Sequence, residues 1–176
     1  MRIFLSSWVV SFINPGDGMK KNGFSLIELM VVMAIIAFLS VLAVPQFTRF
    51  LAKAKRTEAY VNLSALYAAQ KAFYVEHGYY ANSLYGPGSL GWRPEGYSGG
   101  GKNEKFYYTY GFSNGSEGTH YFTGKLETPQ SNLSAARADK NSFVLVAAGD
   151  IVGNGKPDIL SVDENNNIVI VQDGLQ

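Results

Sequence analysis

Glu28 is the one charged side chain in the 21 residues from Phe24 to Val44. An ionised carboxylate in such surroundings is costly without a cation, so a partner is expected. The alternative is an acid that snorkels to the cytoplasmic membrane face. Other chemistry-bearing residues are sparse. His77 and His120 stand 43 residues apart, the chain has no Cys, and no His-x-x-x-His spacing occurs, so a zinc site is not expected. His77 reads instead as a helix C-terminal residue, where a protonated imidazole is favourable. Gly96-Tyr97-Ser98-Gly99-Gly100-Gly101-Lys102-Asn103 misses a phosphate-binding loop by one residue, because Asn103 stands where Ser or Thr would hold magnesium. With no apolar strand before it and no helix after it, this segment reads as a flexible loop. Absent cysteine also excludes thiol chemistry and disulfides. No catalytic set emerges, and a non-enzymatic, structural role is expected.

The element that positions Glu28 is the apolar run itself. At ~1.5 Å rise per residue, Phe24–Val44 is a helix of ~30 Å, the thickness of the bilayer's hydrocarbon. Lys20 and Lys21 precede it, so the positive-inside rule keeps the short N-terminal end in the cytoplasm and the remainder outside. A secretory signal peptide has a shorter apolar core followed by a small-residue cleavage site, and neither is present here. Pro45 ends the run, as a helix break that is either a simple kink at the membrane exit or a weak point. Beyond it, Phe47, Phe50, Leu51, Ala54, Ala59, Val61, Leu63, Leu66, Ala69, Phe73 and Tyr74 recur at mostly helical spacing, with Arg49, Lys53, Lys55, Arg56, Glu58 and Lys71 between them. Residues 46–77 therefore predict an amphipathic helix with a stop at Gly78.

Residues 78–105 read as a loop between helix and sheet, punctuated by Gly and Pro. Strands are predicted at 106–112, 119–126, 142–148, 158–163 and 167–172, which are rich in β-branched and aromatic residues. Asn165-Asn166-Asn167 fits a hairpin turn between the last two. The fold class is α+β: a long N-terminal helix, apolar in its first half, packed on an antiparallel sheet formed by residues 106–176. After Gly23 the chain holds 12 basic and 13 acidic side chains, which leaves no basic field and does not indicate nucleic acid as a partner.

Gly23-Phe24-Ser25-Leu26-Ile27-Glu28, followed by Leu29-Met30-Val31-Val32 and preceded by a Lys-bearing leader, resembles the processing site of type IV pilins and type II secretion pseudopilins. The resemblance is specific over residues 19 to about 80 and architectural beyond. It implies removal of a leader, residues 1–23, by a prepilin peptidase that cuts between Gly23 and Phe24 and then N-methylates Phe24. Met19 to Gly23 is itself a complete short leader, so residues 1–18 read as a start-site artefact, or else as a longer leader. The resemblance further implies that Glu28 pairs with the Phe24 amine of a neighbouring subunit, and that 24–45 forms the filament core. It also implies a homopolymer served by an assembly ATPase and an inner-membrane platform protein, and a helix that opens near Pro45 under load. The precursor would be a single-pass inner-membrane protein, and the assembled form extracellular. Rival readings are a pseudopilin of a type II secretion machine and a membrane-anchored or filament-tip binding module.

Gly149 to Asp158 resembles calcium loops of the EF-hand and integrin-repeat kind. That likeness implies Asp150, Asn154 and Asp158 as ligands and Asp163 as a further acid, with Val152 where an oxygen is usual. The alternative is a metal-free hairpin turn built on Asn154-Gly155. No cofactor is otherwise required. Asn62, Asn114 and Asn132 match the glycosylation acceptor pattern, which is common by chance, and the helix aromatics at packing spacing read as packing residues.

Overall fold

The structure, a computed structural model, describes residues 23–176. Most of the expected leader, including Lys20, Lys21 and the Met19 start, thus lies outside the described residues. The chain divides into two units, one reaching Val41 and the other Leu42–Gln176, and helix α1 (Leu26–His77) contributes to both.

In the first unit every described side chain is exposed, Phe24, Leu26 and Val41 most of all among the large apolar ones. This helix segment is long and apolar enough to cross a membrane.

In the second unit, α1 buries Ala52, Ala59, Leu63, Leu66, Gln70 and Phe73. Steps of seven, four, three, four and three place them on one stripe. Burying Leu63 and Leu66 contributes about 1.5–3 kcal/mol each, more than an exposed ion pair provides. The stripe, rather than the surrounding lysines, therefore attaches the helix. It joins one core with Tyr108, Tyr110, Phe122, Phe143, Leu145, Leu160 and Val162. α1 ends at His77, whose ring stacks on Phe73 at 4.0 Å, and Gly78 at φ +74° donates its N–H to the Tyr74 carbonyl at 2.8 Å. That is a left-handed cap, which glycine accepts without a Cβ penalty.

Six strands follow: β1 (Thr109–Gly111), β2 (Tyr121–Phe122), β3 (Arg137–Ala138), β4 (Phe143–Gly149), β5 (Asp158–Asp163) and β6 (Ile168–Gln172). The sheet is antiparallel throughout, in the order β2-β1-β4-β5-β6, with β3 also paired to β4. β4 is central and covered on both faces. Phe143, Leu145 and Ala147 belong to the helix-side core, whereas Val146 and Ala148 pack with Leu133 of a short 3-10 turn, Gln130–Leu133. β5 alternates strictly, burying Asp158, Leu160 and Val162. The β5–β6 turn is tied by Asp163 Oδ1, which accepts the N–H groups of Asn165 and Asn167, both at 2.9 Å, with Asn166 at φ +62°.

All five expected strands are present, but two are shorter than predicted. The run 106–112 yields only 109–111, because Glu58 on α1 accepts the Tyr107 N–H at 2.9 Å and removes it from any ladder. The run 119–126 yields only 121–122. Beyond it, Thr123 O accepts from Gly101 in the αβ-loop, and Glu127 takes φ +50°. β3 and the 3-10 turn were not predicted. α1 runs through Pro45 as one helix, and Thr48 Oγ1 donates to the Pro45 carbonyl at 2.9 Å. Proline's missing N–H costs one bond within the helix without ending it.

Candidate functional site

α1 opens with a reciprocal cap. Ser25 Oγ accepts the Glu28 N–H at 3.3 Å, while Glu28 Oε2 accepts the Ser25 N–H at 2.9 Å and the Ser25 hydroxyl at 2.8 Å. Two of the orphan amides at the helix N-terminus are satisfied this way. The Ser-x-x-Glu pattern is a legible capping box, and the reading of Glu28 as an assembly acid alone missed it. Both bonds to the carboxylate end on Oε2. Around it lies a shallow apolar cleft formed by Phe24, Ile27, Val31 and Val32. Gly23, directly before Phe24, is exposed, and a side chain there would meet nothing within 4 Å. One acid is thus presented on an open apolar ridge, four residues from the Gly23-Phe24 peptide bond.

Residues 18–44 match the model of the prokaryotic N-terminal methylation motif. The N-terminal part of this chain is similar to that of type IV pilins. Over 86 residues it is 44% identical to the type IV major pilin protein PilA of Myxococcus xanthus, covering 49% of this chain and 36% of that protein. It is 41% identical to a fimbrial protein of Pseudomonas aeruginosa over 56 residues, 32% of this chain and 36% of the relative. Identity to the type IV major pilin protein PilE1 of Neisseria gonorrhoeae is 36% over 58 residues, 33% and 35% of the two chains. These matches span about a third of the length of the curated relatives. The long helix and antiparallel sheet agree with the pilin fold.

Within the second unit, the acids proposed as calcium ligands are not brought together. Asp158 is fully buried. Arg56 donates to it through Nε at 2.9 Å and Nη2 at 2.5 Å, Tyr108 through its hydroxyl at 2.7 Å, and Gly174 through its N–H at 3.0 Å. Asp150 accepts the N–H groups of Gly153, Asn154 and Gly155. Asn154 Oδ1 accepts the Lys156 N–H at 2.9 Å, and Asp163 closes the hairpin at the opposite end of β5. Among the described residues, no group of three or more His, Asp or Glu side chains is placed to hold a metal. The loop is an Asp-organised turn, and calcium does not fit these four residues as they stand. The turn is not a two-residue one on Asn154-Gly155 either, since the left-handed positions are Gly153 and Gly155.

Arg56 also pairs with Asp173, so one guanidinium links α1, β5 and the C-terminal segment. Burial alone would lower its pKa, but the hydrogen bonds and charges of Asp158 and Asp173 outweigh this and raise it. Asp173 is held below the usual carboxylate range, first by the Leu175 N–H and then by Arg56. Burial and the bond to Asp158 raise the Tyr108 phenol, keeping it a donor.

The loop read as flexible is an ordered nest. Glu104 Oε1 accepts the Ser98 N–H at 2.8 Å, the Ser98 hydroxyl at 2.9 Å and the Gly100 N–H at 2.8 Å. Backbone N–H groups that could cradle a phosphate hold the chain's own carboxylate. Burial would raise the Glu104 pKa, and the N–H groups of Ser98 and Gly100 reverse the sign, leaving it lowered. Gly96-Tyr97-Ser98-Gly99-Gly100 also spells the Gly-x-Ser-x-Gly pattern of hydrolase nucleophiles, which was overlooked in the sequence. No strand leads into it and no helix follows, and its serine donates to Glu104 rather than resting against a histidine.

Proposed function

We propose that this chain is a structural, non-enzymatic subunit of a type IV pilus, cleaved after Gly23, N-methylated at Phe24 and polymerised through its N-terminal helix. The observation that carries the proposal is Glu28: a lone acid on a fully exposed apolar segment, one turn from the residue that becomes the new N-terminus. Cleavage creates an ammonium at Phe24. A neighbouring copy brings that cation to the Glu28 carboxylate, while the apolar ridges cover one another. Such a head-to-tail contact does not close on itself and so yields a filament.

Before assembly the apolar segment sits in the inner membrane, with the N-terminus cytoplasmic and the second unit outside. A prepilin peptidase, an assembly ATPase and a platform protein are its partners in this reading. Pro45, lacking an N–H, is where the helix would open under load. The pseudopilin reading gains nothing from the Asp150–Asp158 loop, whose carboxylates are already engaged.

Replacing Glu28 with Val tests this. Cleavage at Gly23 persists and incorporation into fibres is lost; normal fibres built from the variant would end the assembly role of Glu28.

A further inference from the structure

We propose that the glycine-rich loop between helix and sheet holds a hard divalent cation, of calcium type, between Glu104 and Glu117. Glu104 is 2% exposed, and its Oε1 takes all three donors of the nest. Oε2 is the only buried side-chain nitrogen or oxygen among the described residues that has no hydrogen-bond partner. A buried charged oxygen without a donor is strongly unfavourable, and native structures that tolerate one place an ion or a water there.

The neighbouring groups specify which. Gly100, at φ +91°, donates to Glu104 on one side, and on the other a β-carbon would collide with Glu117 Oε1. Two carboxylates thus flank a single glycine, whose left-handed backbone and missing side chain let both approach. Among the described residues no Lys or Arg lies within ion-pairing distance of either. Lys105, next to Glu104 in sequence, lays its side chain against Gly96, and Lys102 reaches Glu127 at 3.6 Å. Glu117 accepts one bond, from the Thr123 N–H at 3.2 Å. Tyr97 lies alongside, since a β-carbon on Gly118 would be 3.2 Å from its hydroxyl.

The side-chain groups gathered here are all oxygens: the Glu104 and Glu117 carboxylates, the Ser98 hydroxyl bonded to Glu104, and the Tyr97 hydroxyl beside Gly118. With no nitrogen or sulfur ligand, the set suits a hard cation. An irregular loop matches the flexible six- to eight-oxygen shell of calcium better than the strict octahedron of magnesium. Waters complete the shell. This site is separate from the Asp150–Asp158 turn and does not depend on the filament reading.

The test uses the full chain in detergent, stripped with chelator and titrated with terbium, a calcium surrogate whose emission tyrosine sensitises. We expect one saturable equivalent, displaced by calcium, and a Tm raised by roughly 5–10 °C at about 100-fold excess over Kd. Glu117→Gln removes an exposed ligand. It should weaken binding at least ~10-fold, as judged from ligand number and charge, while leaving the Tm in chelator unchanged. Glu104→Gln loses binding, and Asp150→Asn retains it. Absence of saturable terbium or calcium binding, its survival in Glu117→Gln, or its loss in Asp150→Asn each overturns the proposal.

Discussion

Removing Arg56 tests the energetic centre of the second unit. In Arg56→Met the fully buried Asp158 keeps only the Tyr108 hydroxyl and the Gly174 N–H, and its charge loses its counter-ion. Breaking a buried pair from one side costs about 3–5 kcal/mol. For a unit of this size that lowers the Tm by roughly 10–20 °C. The partly exposed Asp173 is worth far less, so Asp173→Asn costs at most about 1 kcal/mol. Arg56→Lys keeps the charge but loses the bidentate fork, and falls between the two. In urea melts of the full chain followed by tryptophan fluorescence, the midpoints should rank Asp173→Asn above Arg56→Lys above Arg56→Met. Adding Asp158→Asn to Arg56→Met should cost less than the single effects summed, because the two share one interaction. A loss below about 1 kcal/mol in Arg56→Met, or strict additivity in the cycle, would refute the clamp.

Acid provides another check. Asp173 and Glu104 are held below their ordinary values of 3.8 and 4.5, so both bind fewer protons folded than unfolded. The stability they contribute is complete above those values and is lost as pH falls through and below them, while remaining flat from pH 7 to about 5; melts at stepped pH read this directly. Gln70 is fully buried and clamps Ala81 with two bonds, donating to its carbonyl at 2.8 Å and accepting its N–H at 3.0 Å. Gln70→Leu orphans both groups and should cost about 1–3 kcal/mol for each, with faster hydrogen exchange at the Ala81 amide; unchanged exchange there would show that the clamp is not needed.

Local features of this fold were legible in the sequence, and long-range pairings were not. The apolar run, its single acid and most of the buried stripe on α1 were legible locally; Ala54, Val61 and Tyr74 of the expected stripe are exposed, and Ala52 and Gln70 outside it are buried. β4, β5 and β6 follow from their Val, Ile and Leu content, and their hairpin from three consecutive asparagines. β1 and β2 were overextended because Glu58, 49 residues before Tyr107, takes the amide that would have continued the ladder. Asp158 was read with its sequence neighbours as a calcium ligand, whereas its partner Arg56 lies 102 residues away. The Gly96–Asn103 nest was legible as an anion cradle, but nothing local says that Glu104 fills it. The Ser25–Glu28 cap is the reverse case: a local pattern that was present and passed over for a more distant role.

The central claim is that residues 1–23 are removed and that the helix beginning at Phe24 enters a polymer. The most direct measurement is the intact mass and N-terminal sequence of the subunit in fibres sheared from cells and purified. The account predicts a chain beginning at Phe24 and 14 Da heavier than residues 24–176 because of one added methyl group. A subunit that retains residues before Phe24, or fibres that lack this chain, would contradict it.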